Sequence, residues 1–146
     1  MQPSALMSWS DRAALRVTAS VVGERAANAE AAIGRLVDGM PWADARGAQS
    51  EALEAIDGTK RMFLDSFNLL HSDAVVTHIG VESASETAYR AATTGLYHAR
   101  GIVEGLASRP GVAGGPVLDF PASTRATVME HMRGAIGALA RAQNAW

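Results

Sequence analysis

From Glu86 to Leu106 the chain reads ETAYRAATTGLYHARGIVEGL, and Ala88, Ala92, Gly95 and Ala99 follow one another at steps of four, three and four. On an α-helix that spacing lines residues up in one row, because positions three and four apart are surface neighbours. Tyr89, Leu96 and Val103 repeat beside the row every seven positions. A helix with a row of such small side chains invites close approach by another helix. The stretch therefore restricts the chain to helix-on-helix packing more strongly than any other segment.

Similar seams recur elsewhere. Leu15, Ala19, Val22, Ala26, Ala29, Ile33 and Leu36 alternate steps of four and three, an a/d pattern over three heptads. This first helix is expected to begin after Ser8 or Ser10, where Ser8 and Asp11 resemble a capping box with Asp in the acidic position. Gly39 and Pro41 punctuate its end. A second helix follows with Leu53, Ile56, Phe63, Phe67 and Leu70 on its seam, while Glu51, Glu54 and Asp57 point outward. Lys60 falls on that seam, which predicts an edge position with a snorkelling stem. The last helix opens at Phe120-Pro121 and carries Val128, Met132, Ala135, Leu139, Ala142 and Trp146, with Trp146 expected as a terminal anchor.

The segment AVVTHIGVE, from Ala74 to Glu82, has the β-branched content of a strand. A lone strand has no partner, so a helix from about Asp73 to about Ser108 is predicted instead, with Ser83-x-x-Glu86 as a competing later start and a kink near Gly80 if both hold. Beyond Arg109-Pro110, GVAGGPVLDF reads as an irregular connection and as the best place for a functional loop. The resulting expectation is all-α: an antiparallel four-helix bundle in a single domain, residues 1–146, with short turns and one longer Gly/Pro loop at about 109–120.

Composition agrees. The apolar fraction is 48%, aromatics are 5%, and alanine is abundant, which favours helices over strands. The net charge of −2 and the absence of any basic run longer than Lys60-Arg61 argue against nucleic acid as a partner. There is no cysteine, which excludes disulfides, thiolate metal sites and cysteine nucleophiles. No basic segment followed by an apolar core opens the chain, and no apolar run reaches the roughly 18 residues of a membrane span. The expected location is the cytoplasm, or a particle assembled there.

Chemistry is sparse. His78, Glu82 and Glu86 stand at successive i, i+4 positions, so on one helix an imidazole and two carboxylates share a side. With His131 from the last helix they make a ligand set for zinc, iron or manganese. The Glu-x-x-His pairs of di-iron bundles are absent. His98 falls nearly opposite His78 on an unbroken helix, which predicts that the two do not share a site. No serine sits in a Gly-x-Ser-x-Gly elbow or a Ser-x-x-Lys pair, and no catalytic residue is assigned. Met62, Phe63, Met129 and Met132 could line a ligand pocket or simply fill the core.

Gly101 and Gly105 form a second small pair off the row of Gly95 and Ala99. A glycine in a helix costs about 1 kcal/mol relative to alanine, so a second glycine row calls for a second close contact. The functional expectation is a non-enzymatic helical protein acting through protein–protein contacts. It would be a self-associating structural or adaptor subunit of a larger bacterial or phage assembly, with copies of itself or other subunits as partners. Gly95, Ala99, Gly101 and Gly105 are the expected interface. The alternative is a metal- or small-ligand-binding bundle using His78, Glu82, Glu86 and His131. A divalent metal in that alternative is the only cofactor considered.

Overall fold

The structure, a computed structural model, describes residues 9–70, 79–112 and 114–145. Ser8, the stretch 71–78 with His78, and Trp146 lie outside the described residues. The elements in order are α1 (Trp9–Gly34), α2 (Trp42–Leu70), α3 (Ile79–Glu104), β1 (Ala107–Pro110), β2 (Pro116–Asp119) and α4 (Ala122–Ala145). Helix α3 is already running at Ile79, so Ser83 and Glu86 lie inside it and do not cap its start.

The heptad seams form the core. Val22, Ala26, Ala29, Ile33 and Leu36 of the α1 seam are fully buried, as are Leu96 and Val103 of α3 and Val128, Met132 and Ala135 of α4. Burying a side chain such as Leu96 or Ile33 contributes about 1.5–3 kcal/mol. On α2 the seam is carried by Ile56 and Phe63 together with Ala45 and Ala52, whose small size the spacing argument passed over. Thr59 is buried too, and its hydroxyl donates to the Ala55 carbonyl at 2.8 Å, so that buried donor is matched. Lys60 is half-buried, in keeping with a place at the edge of the seam.

Each helix packs on the next, and α4 also packs on α1. The chain ends of α1 and α3 meet the starts of α2 and α4 at one end of the molecule. There Gln49, near the start of α2, donates Nε2 to the carbonyl of Val103 at 2.8 Å at the end of α3. Arg125, in the first turn of α4, reaches the carbonyls of Gly34 (3.1 Å) and Leu36 at the end of α1. Both contacts satisfy carbonyls that a helix C-terminus leaves open.

The same end corrects the all-α expectation. The segment expected as a loop at about 109–120 is largely a β-hairpin. β1 and β2 pair antiparallel, with Ala107 opposite Asp119 and Pro110 opposite Pro116. Gly114 (φ 91°) and Gly115 (φ 127°) take the positive φ that closes the turn. Two four-residue strands would be marginal alone. Here β2 gains a second neighbour: the Gly39 N–H donates to the Leu118 carbonyl at 2.9 Å, and the Leu118 N–H donates to the Met40 carbonyl at 2.8 Å. Leu118 and Phe120 then enter the core cluster with Leu36, Ala45 and Leu106. The hairpin thus acts as a lid on one end of the helices. Among the described residues, no helix is long and apolar enough to cross a membrane.

Candidate functional site

The arrangement begins at Gly95. A Cβ built there would lie 2.7 Å from the His131 carbonyl oxygen and 3.1 Å from the Ala135 Cβ. Glycine therefore lets the α3 and α4 backbones come closer than any other residue would. One turn further along α3, this approach sets the His98 ring against the His131 ring, with centroids 5.0 Å apart and planes 22° apart. Tyr97 meets His98 edge-on at 5.8 Å and 74°. The Lys60 ammonium, from α2, stands 6.0 Å from the Tyr97 ring centre. A row of Lys60, Tyr97, His98 and His131 therefore runs across three helices.

A groove of about 470 Å³ follows the outer side of α3, lined by Lys60, Tyr97, His98, Gly101 and Glu104 among others. A smaller hollow of about 230 Å³ shares Lys60 and is floored by Phe63 and Leu96, with Leu64 and Thr93 at its sides. Two large apolar side chains stand out of this region, Tyr97 at 66% exposed and Leu64 at 43%. Arg100 is tied down between them and the helix end: its Nε donates to Asp57 Oδ1 at 2.7 Å and its Nη1 to Glu104 Oε2 at 2.6 Å. The hydrogen bond and charge of Asp57, then the charge of Glu104, raise the Arg100 pKa further, so the groove keeps a fixed, neutralised cation.

The sequence-derived interface set is divided by this geometry. Gly95 and Ala99 are buried inside the chain, where Gly95 faces α4. Gly101 and Gly105 are exposed, and a Cβ at Gly101 would meet nothing within 4 Å. Of the metal set, His78 lies outside the described residues, and the side chains of Glu82 and Glu86 are likewise outside what is described. His131 is placed level with Gly95 and His98 on α3. Among the described residues, no group of three or more His, Asp or Glu is placed to hold one metal ion. Met132 belongs to the core cluster, with Met129 packed against it.

Sequence spacing did not bring His98 and His131 together, because no pattern within one helix tells which turn of another lies opposite. It also missed the polar lock under the hairpin. Arg109 on β1 donates to Asp38 Oδ1 at 2.5 Å, to Asp119 Oδ1 at 3.0 Å and to the Leu118 carbonyl at 3.1 Å. Asp38 also accepts the Phe120 N–H at 2.8 Å. The hydrogen bond from Arg109, then that from the Phe120 amide, holds the Asp38 carboxyl below its usual range. Its oxygens serve the fold, so the lock is read as structural.

Comparison of the chain with family models, with curated proteins and with solved structures gives no match.

Proposed function

We propose that this protein is a non-enzymatic helical subunit that acts through protein contacts, with its four helices running antiparallel as a bundle and a second copy of the chain docking on the outer face of α3. The closed ring of packing, α1 to α2 to α3 to α4 and back to α1, supports the bundle arrangement.

The observation that carries the docking reading is the pairing of Tyr97 with Gly101. Tyr97 is 66% exposed, and one turn along its own helix Gly101 leaves open space beside the ring. Gly95 is accounted for by α4, whereas nothing among the described residues accounts for Gly101. The helical glycines Gly23, Gly34, Gly47 and Gly134 are open as well; among them only Gly34 has a large exposed apolar residue at that distance, Val37, and it lies beyond the end of α1 rather than on a helix face. Aromatic anchors beside a hollow are typical of contact centres. The face also carries both signs of charge, Lys60 and Arg61 with Asp57 and Glu104, which a two-fold pairing of identical faces can match. A net charge of −2 offers little repulsion between copies.

The test is light scattering with native mass spectrometry at high micromolar concentration. Self-association that is lost in Tyr97→Asp and in Gly101→Arg, both still helical, supports the reading. A strictly monomeric wild-type chain overturns it.

A further inference from the structure

The geometry points to a transition-metal site that pins α3 to α4 through His98 and His131; His98 also borders the proposed docking groove, but the site needs no second copy of the chain. The two imidazoles come from different helices and meet at 5.0 Å between ring centres. A first-row divalent ion binds an imidazole nitrogen at about 2.0–2.1 Å, so two rings in adjacent positions on one ion have centres about 4.5–5.2 Å apart. The observed separation falls in that interval, and because the rings are stacked with planes 22° apart, each must turn about its side-chain torsions to bring one ion into both ring planes. His98 is exposed and His131 half-buried, so the rings can turn their nitrogens toward a shared ion without disturbing the core.

Neither imidazole is engaged by a hydrogen bond or an ion pair among the described residues. Their nitrogens are thus available as ligands. The spacing is also held firmly, because Gly95 seats the two backbones in contact one turn away. A fixed separation reduces the ordering cost of binding two ligands at once. The neighbouring cation Arg100 is already neutralised by Asp57 and Glu104. Two imidazoles with water in the remaining positions suit borderline ions, and the expected order is Cu²⁺ above Ni²⁺ and Zn²⁺. The ion would add a link between two helices that already approach closely at Gly95 and Ala135, and so would stabilise the folded chain by mass action.

The experiment uses untagged full-length protein titrated with CuCl2, NiCl2 and ZnCl2, read by calorimetry, thermal unfolding and Cu²⁺ electron paramagnetic resonance. One Cu²⁺ per chain is expected to bind at micromolar concentration, with nitrogen coupling from two imidazoles and a higher Tm. His98→Gln and His131→Gln are each expected to weaken binding at least ten-fold and to remove the two-nitrogen signature, with helix content unchanged by circular dichroism. The double variant His71→Gln/His78→Gln is expected to bind as the wild type does. Absence of binding up to millimolar Cu²⁺ would overturn the assignment. So would binding that survives His98→Gln and His131→Gln, or that disappears in the His71→Gln/His78→Gln protein.

Discussion

Asp38 and Arg109, 71 positions apart in sequence, are joined through both carboxylate oxygens, at 2.5 Å to Nη1 and 3.3 Å to Nη2. Asp38 lies in the α1–α2 connection and Arg109 on β1, so this one pair ties the hairpin to the helix turn beneath it. The Phe120 amide adds a second donor to the same carboxylate and places the chain for its entry into α4. An Arg fork facing a carboxylate is directional, which a lysine at the same place would not be.

The first prediction concerns pH. The folded-state pKa of Asp38 is lowered from the ordinary 3.8 by Arg109 and by the Phe120 amide. As pH falls, the unfolded chain takes up this proton before the folded chain does. The contribution of Asp38 is therefore complete above the ordinary carboxyl value and is lost as pH drops through the lowered one. Asp38→Asn is expected to be less stable than the wild type at pH 7 and to lose less on acidification below about pH 5. Urea midpoints measured across that range check it: parallel curves for the two proteins would show that the lock does not titrate as described.

The second concerns the hairpin's share of the core. Leu118 is fully buried, and its backbone bonds to Gly39 and Met40 on the side away from β1. Leu118→Ala should cost about 2–5 kcal/mol, the range for a buried leucine that leaves a cavity. Val112 at the hairpin tip is fully exposed, so Val112→Ser should stay within about 0.5 kcal/mol of wild type. Equal, small effects on the urea midpoint would mean that the hairpin is not part of the cooperative core.

These contrasts explain what could be read from the sequence. The a/d steps of α1 and α4 survive as buried rows because burial on a helix repeats with the helix itself, so Val22 through Leu36 and Val128 through Leu139 were legible. β2 was not. PVLD has no long alternation, and its pairing depends on a segment, Gly39–Pro41, that lies in a helix connection far away in sequence. GVAGGPVLDF reads as an irregular connection from its glycines and prolines, and the partners that make β2 a strand, a second short strand and a helix-connecting turn, leave no mark in local spacing. His98 and His131 were each visible, but their meeting depends on how α3 and α4 slide past each other, which Gly95 decides in three dimensions.

The third prediction is a helix-end effect. Arg125 serves the carbonyls of Gly34 and Leu36, and its guanidinium lies 5.7 Å from the Phe120 ring centre. Arg125→Met keeps the aliphatic packing and removes the donors. Charged hydrogen bonds of this kind contribute about 1.5–3 kcal/mol, and a loss of about 1 kcal/mol is expected at this half-buried site. Amide exchange checks the mechanism: protection should fall first in the last turn of α1, and a uniform fall across all helices would contradict a local capping role.

The last prediction sets two glycines of one helix against each other. Alanine is favoured over glycine in a helix by about 1 kcal/mol, and that gain is available at both Gly95 and Gly101. At Gly101 the new methyl meets nothing within 4 Å, so Gly101→Ala should stabilise the chain by up to about 1 kcal/mol. At Gly95 the methyl would sit 2.7 Å from the His131 carbonyl oxygen, a backbone atom that cannot yield without moving α4. Overpacking costs of about 1–3 kcal/mol then outweigh the helical gain, and Gly95→Ala should destabilise. It should also push His98 away from His131 and weaken any Cu²⁺ binding, whereas Gly101→Ala should leave that binding unchanged. Thermal unfolding of the two single variants gives the sign of each effect directly. Stabilisation by both would mean that α3 and α4 stand further apart than the Gly95 contact requires.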